Sequence, residues 1–425
     1  MPLSLPSGLI MEAEIGQTVV ERFQRYVRFD TQSANNSETY PSTEKQKDLG
    51  RQLVNELKEF GLESAGMDQY GYVTATMNAN IGRIIPTIGL IAHMDTSPDV
   101  SGKNVQPHVH KRYSGQDIVL PGDSTQVIRL SETPGLKKQF GNDIITSDGT
   151  TLLGADDKSG VAEIMDALHY LTKHPEIEHG MIKAAFTPDE EVAAGVEHFD
   201  VGKFGAQFAY TLDGGDINEI DNETFCADSA QVTFHGVSMH PGFAKGKLVN
   251  SLKLASEFLE KLPKNTDSPE TTERAEGYVH PNRIQGGIEE TVVKFTIRDF
   301  EFEGLKKREN SLRALAEETA RNHPQSGLNF EVKESYRNMK YVLDKYPKVV
   351  EKAMRASRMA GLQPKLHSVR GGTDGATLCY MGLPTPNLGT GMQNPHSKLE
   401  WVSVQDMRKA VEVAVNLVKV WAEGT

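Results

Sequence analysis

The stretch Thr87-Ile88-Gly89-Leu90-Ile91-Ala92-His93-Met94-Asp95 is a short apolar run that stops at a histidine and an aspartate two residues apart. An apolar run of this length reads as a buried strand. If the extended geometry persists past Ala92, His93 and Asp95 point to the same side. Working outward, residues 161–171 carry a helical apolar stripe, and 182–186 and 208–212 are further short apolar runs. Alternation of this kind favours an α/β sheet core. The residues after the runs are polar, Thr187 to Glu191 and Asp213 to Gly215, so polar groups gather at strand C-terminal ends, where open α/β sheets place their sites.

Upstream, Thr18 with Glu21 and Thr43 with Gln46 form capping-box patterns. Each precedes a helical stripe: Val19, Phe23, Tyr26 and Val27, then Leu49, Leu53, Leu57 and Phe60, with Gly61 as a C-cap. Downstream the rhythm changes. Residues 222–336 read β-α-β-β-α-β, the order of a split-βαβ unit, interrupted by a polar loop at 264–273. Alternation then resumes, and the chain ends in a helix with the apolar face Met407, Val411, Ala414, Val418 and Trp421. The expected architecture is α/β: a mixed-sheet domain built from residues 1–222 and 337–425, with an inserted α+β split-βαβ (ferredoxin-like) domain at 223–336.

At 425 residues the chain exceeds what one core usually holds, which agrees with two domains. A formal net charge of -12, with no Lys/Arg block, repels phosphate backbones and anionic lipid, so neither nucleic acid nor membrane is an expected partner. Two cysteines, Cys226 and Cys379, can build neither a disulfide framework nor a cysteine zinc site. The opening Met1-Pro2-Leu3-Ser4-Leu5-Pro6 has no basic n-region or sustained apolar core, and no later run reaches membrane-spanning length. The expected location is the cytoplasm.

Five clusters carry the chemistry: His93-Met94-Asp95, Asp156-Asp157-Lys158, Asp189-Glu190-Glu191, Asp213-Gly214-Gly215 and Asn394-Pro395-His396. Carboxylates and imidazoles without thiolates are the donor set of a catalytic site for Zn, Mn or Co. His93 is read as a ligand, with Asp95 fixing its tautomer from the other ring nitrogen. Adjacent glutamates raise each other's pKa unless a cation intervenes; one of Glu190 and Glu191 can then coordinate while its neighbour takes a proton from the attacking water. Asp156-Asp157 before a helix could bridge two metals, or could simply cap the helix. Taken singly, each cluster is also compatible with a solvated loop.

These residues resemble the co-catalytic two-zinc exopeptidases, a family that includes carboxypeptidase G2, the aminoacylases and succinyl-diaminopimelate desuccinylase; the tripeptide-aminopeptidase branch is nearest. The resemblance rests on Leu90 to Asp99, Leu153 to Lys158, Phe186 to Glu191, Tyr210 to Gly215 and His240 to Gly246, and its order and spacing hold over nearly the whole chain. It implies a zinc-exopeptidase catalytic domain with the inserted domain as lid, and two Zn2+ per subunit, with Co or Mn able to replace them. His93 and Asp213 would hold one metal, Glu191 and His396 the other, and Asp156 would bridge. Glu190 would be the general base, Asp95 would orient His93, and the bond after Asp156 would be a cis non-proline peptide. His240 would contact the scissile carbonyl or its oxyanion, Arg370 the substrate carboxylate, and Arg298 would assist. The implied activity is removal of the N-terminal residue from short unblocked peptides, tripeptides above all; a homodimer is compatible with it. N-acyl amino-acid amidohydrolysis, or metal binding without turnover, would use the same residues. The stretch Glu276 to Pro281 follows the branch's aromatic pattern only in part.

Overall fold

The computed structural model describes residues 18–423; the opening hexapeptide lies outside them. By compactness the chain forms two units. One comprises the chain up to Asn222 with Tyr341–His367 and the segment from Thr373 onward; the other comprises Glu223–Lys340 and Ser368–Gly372.

The first unit is organised on an eight-stranded sheet in the order β1 (Gly66–Met67), β2 (Val73–Met77), β8 (Ile182–Thr187), β3 (Ile88–His93), β9 (Phe208–Gly214), β16 (Asn387–Gly389), β10 (Glu219–Thr224) and β15 (Lys365–Val369). The sheet is mixed. β8, β3, β9 and β16 run parallel, with antiparallel pairings of β2 on β8 and β10 on β16. β3 is buried at every position, as a strand between two parallel neighbours must be, which is why it reads as a continuous apolar run. Its register sets His93 opposite Thr187, so β3 and β8 end together. A four-stranded sheet orders β17 (Met392–Gln393), β18 (Trp401–Ser403), β7 (Ile144–Thr146) and β4 (His108–His110), and β5 (Ile118–Val119) pairs with β6 (Val127–Ile128).

Residues 18–26 form helix α1, followed by α2 (Gln46–Glu59), α3 (Ala155–Lys173) and a short α4 (Val201–Phe204). Val19, Phe23, Tyr26, Leu49, Leu53 and Leu57 are fully buried in the main core. Gly61 takes φ 87°, the left-handed cap expected of it. The second capping box does not form as read: α2 is capped at Lys45 without a side-chain bond, Thr43 donates to the Gln32 carbonyl, and the Gln46 amide reaches Asp189. α3 lies against β9 so closely that a Cβ on Gly160 would stand 1.9 Å from the Leu212 carbonyl oxygen, so only glycine lets the start of α3 meet the end of β9. Among the described residues no helix is long and apolar enough to cross a membrane.

The second unit is a four-stranded antiparallel sheet in the order β12 (Tyr278–Gly286), β13 (Glu290–Asp299), β11 (Cys226–His235) and β14 (Gly327–Tyr336), with α5 (Ser251–Glu260) and α6 (Phe302–Arg321) packed on it. That is the split-βαβ arrangement. Its own core holds Val232, Phe234, Leu254, Phe258, Phe295 and Leu312. After a turn of helix α7 (Lys340–Leu343), the first unit continues with α8 (Pro347–Met359), α9 (Asp374–Tyr380) and α10 (Val404–Ala422).

Candidate active site

The parallel strands β8, β3 and β9, interior in the first unit's sheet, deliver Glu190–Glu191, His93 and Asp213 to their C-terminal ends, and the turns at 154–157 and 394–397 bring Asp156 and His396 to them. His93 Nε2 lies 2.9 Å from Asp156 Oδ1 and 3.5 Å from Asp213 Oδ1. His396 Nε2 lies 2.7 Å from Glu191 Oε2 and 3.4 Å from Asp156 Oδ2. Asp156 therefore turns one oxygen to each imidazole. His93, Asp156 and Asp213 form one group whose donor atoms converge closely enough to hold a cation, and Asp156, Glu191 and His396 form a second.

Asp95 does more than face His93. Its Oδ1 stands 3.4 Å from His93 Nδ1, and its two oxygens also accept the backbone N–H groups of Glu190 (3.0 Å) and Glu191 (3.2 Å). A fully buried carboxylate thus ties the histidine to the glutamate turn. The Asp156–Asp157 peptide is cis, and the two aspartates divide the alternatives that the sequence left open. Asp157 stands with Asp156 in a non-helical kink near the start of α3 and caps the continuous helix that follows, accepting Gly160 N–H on Oδ1 while its Oδ2 accepts His93 N–H; Asp156 goes to the histidines.

The charges conflict as they stand. Burial pushes Glu191 up to about 8, with the Asp156 charge adding, and pushes Asp213 up to about 6. Burial also drives Glu190 well above the carboxylate range, with Asp213, Asp374 and Glu191 contributing. Burial opposes the ionised form of Asp156, but hydrogen bonds from His396 and His93 outweigh it and hold this carboxyl well below its usual range. Hydrogen bonds to Asp156 and Glu191 raise His396 to about 11. The imidazoles thus act as protonated counter-charges to the carboxylates, and cation binding would displace those protons. Glu191 Oε1 is buried and accepts no hydrogen bond among the described residues, an acceptor that a bound cation would satisfy. The donor set and the orphaned oxygen fit a pair of metal ions.

Several positioning groups escaped the sequence reading. Asp189, left-handed at φ 58°, accepts from Ser42 N, Ser42 Oγ and Gln46 Nε2, while Gln46 Oε1 accepts Asp189 N–H. Asn387 Oδ1 accepts Asp213 N–H at 3.0 Å. Asp374 accepts Thr187 Oγ1 at 2.7 Å, and burial raises it to about 7. Glu400 receives three backbone N–H groups from the Asp156 turn. A glutamate between Leu399 and Trp401 was the one available signal, an acid in apolar company. A third grouping, Glu219, Asp221 and His367, has its donors engaged already: Lys365 lies 2.8 Å from Glu219, His367 2.7 Å from Asp221, and Asn387 Nδ2 donates to Asp221.

His240, Arg298 and Arg370 belong to the second unit. His240 stands in an exposed turn, its Nδ1 accepting Gly242 N–H. Arg298, on β13, donates to the Ile297 carbonyl and lies over Tyr336. Arg370 donates to the carbonyls of Thr272, Arg274 and Glu276 and to Thr272 Oγ1, over the rings of Phe225 and Tyr278.

An α/β unit with carboxylates and imidazoles gathered at strand ends, and no thiolate among them, fits a hydrolase of the two-metal type. The chain belongs to peptidase family M20/M25/M40, whose model matches residues 148–420. It is 48% identical over 405 residues to Peptidase T of Caldanaerobacter subterraneus subsp. tengcongensis, covering 95% of this chain and 99% of that protein. Aminopeptidase PepT from Bacillus cereus shares the fold with a TM-score of 0.74 at 24% identity, over 96% of this chain and 99% of that one. A dinuclear metal-binding peptidase from Bacillus subtilis does so with a TM-score of 0.65 at 15% identity, over 97% of this chain and all of the other.

Proposed function

We propose that the chain hydrolyses the N-terminal residue from short unblocked peptides, tripeptides in particular, with two zinc ions at the His93–Asp156–Asp213 and Asp156–Glu191–His396 groups and Glu190 as general base. The observation that carries this reading is Asp156 offering one oxygen to each imidazole, with Glu190 half-buried next to Glu191. The tripeptide preference is supported by 48% identity to a Peptidase T. When bound, zinc supplies Lewis-acid polarisation of the peptide carbonyl and positive charge against the clustered carboxylates. Glu190, whose proton burial holds tightly in the absence of metal, would be ionised beside two cations, and its carboxylate would then take a proton from the attacking water and return it to the departing amine nitrogen. Asp95 holds Glu190 and Glu191 in place through their amides. His240 would meet the developing oxyanion, and Arg370, assisted by Arg298, the peptide's C-terminal carboxylate; Arg370 would exchange the carbonyls of Thr272, Arg274 and Glu276 for it. Two buried free cysteines agree with a cytoplasmic enzyme.

The test is release of the N-terminal amino acid from an unblocked tripeptide, against dipeptide and N-acetylated controls, before and after chelation and zinc return. Tripeptide cleavage lost with chelator and restored by zinc is expected, and preference for the acetylated substrate would move the assignment to an amidohydrolase. Glu190→Gln should lower kcat by about 10²–10⁴-fold, the usual contribution of a general base, while keeping both metals.

A further inference from the structure

Glu400 is 1% exposed, yet both its carboxylate oxygens are partnered: Oε2 accepts the N–H groups of Leu153 and Gly154, both at 2.7 Å, and Oε1 accepts that of Asp156 at 2.9 Å. These are amides at the start of α3, where Gly154, at φ 81°, has no side chain with which to cap them. Three charge-assisted bonds to one rigid carboxylate fix the turn leading into Asp156.

The other end of Glu400 belongs to the His396 turn. Ser397 Oγ donates to the Asn394 carbonyl, Leu399 N–H donates to Ser397 Oγ, and Asn394 Nδ2 donates to the Leu399 carbonyl. Residues 394–400 are thereby one braced loop, in which Asn394 and His396 both hold left-handed backbone at φ 54° and 58°. One side chain therefore couples two turns that lie far apart in sequence and each carry a ligand.

We infer that Glu400 is a positioning residue that holds the Asp156 turn at a fixed distance from the His396 turn and so builds the Asp156–Glu191–His396 metal position. The inference rests on the two-metal reading above. It also predicts asymmetry. His93 leaves β3 in register with β8, Asp213 N–H is held by Asn387, and Asp156 stays beside His93 because its neighbour Asp157 accepts His93 N–H. None of those restraints passes through Glu400. A helix cap alone would lower stability and leave both metal positions equally good.

The test is zinc affinity of the full chain, read by competition with a chromophoric chelator, for wild type, Glu400→Gln and Glu400→Asp. The Asp variant keeps the charge but is one methylene shorter, so the test survives if the Gln variant fails to fold. Ser403→Ala, which removes the α10 cap on Asp406 N–H, is the control for lost stability alone and should bind zinc as wild type does. The expected result is one zinc equivalent weakened about 10–100-fold in Glu400→Gln, the usual cost of an outer-shell partner, with the other within about threefold. In a His396→Ala background, adding Glu400→Gln should then cost nothing further. Two equivalents bound as in wild type, or both weakened alike, would overturn the positioning role alone; a wild-type protein that takes up no zinc would overturn it together with the two-metal reading.

Discussion

At position 163 a glutamate stands on α3 with no exposed surface, and neither carboxylate oxygen accepts a hydrogen bond among the described residues. Burial, with the Asp406 charge adding, holds its pKa well above the carboxylate range, and Asp157 also feels its charge. The folded chain therefore binds this proton more tightly than the unfolded chain, where glutamate titrates near about 4.3. Stability contributed by the protonated form is full below that value and falls as pH rises towards the folded pKa. Glu163→Gln removes the titration. It should be more stable than wild type by about 1–3 kcal/mol at pH 8, with the difference closing near pH 4.5. Urea unfolding at both pH values reads this, and a pH-independent difference would contradict it. Sequence patterns do not reveal such a residue, because a glutamate within a long helix reads as a solvated face. The proposed ligands and base are legible for the opposite reason: His93, Glu190–Glu191 and Asp213 stand at or just past the ends of apolar strands, and the strand fixes where they must emerge. The division of labour within Asp156–Asp157 is not legible in the residue chemistry alone, since both a cap and a metal ligand call for an aspartate there; only the family resemblance implies Asp156 as the bridge.

The element that presents Glu190 and Glu191 is a single 3₁₀ turn between two left-handed residues, Asp189 and Ala193, both at φ 58°. Non-glycine residues in that region cost about 1–3 kcal/mol each and persist only where the surroundings hold them. Asp189 is held by Gln46, whose amide donates at 2.7 Å and whose carbonyl accepts at 3.1 Å. Gln46→Leu should leave α2 folded, since its stripe of Leu49, Leu53 and Leu57 is untouched, yet misplace the glutamates enough to lower kcat/KM on the order of 10²-fold. Steady-state rates of the zinc-loaded variant beside its circular dichroism separate the two effects, and an unchanged rate would sink the argument. From sequence, Gln46 fits a capping box, and nothing local says that its partner lies 143 residues away. The same limit hides β4, β5, β6, β7, β17 and β18, two or three residues each and too short to carry a period, whereas β3, β8 and β9 are long enough to declare themselves.

At the scale of the whole chain, the change of rhythm at residue 222 is visible because strand and helix spacing alter together. The return of Ser368–Gly372 to the second unit is invisible, since five residues acquire that membership only through contacts made in space. Those contacts bear on whether the second unit can stand alone. Its ends are tied to each other: Thr224 N–H donates to Asn338 Oδ1, and Met339 N–H donates to Thr224 Oγ1. It has a separate core around Phe234, Phe258 and Phe295. Residues 223–340, 118 in number (340 − 222), should therefore unfold cooperatively as an isolated fragment, with a calorimetric enthalpy of about 80 kcal/mol near 60 °C. The fragment lacks Arg370, which in the full chain anchors the carbonyls of Thr272, Arg274 and Glu276. Trypsin should consequently cut at Lys264 or Arg274 faster in the fragment than in the full chain, and Arg370→Ala in the full chain should raise cutting there in the same way. A broad, non-cooperative transition would show that the second unit depends on the rest of the chain, and equal cleavage in fragment and full chain would show that Arg370 does not restrain the loop.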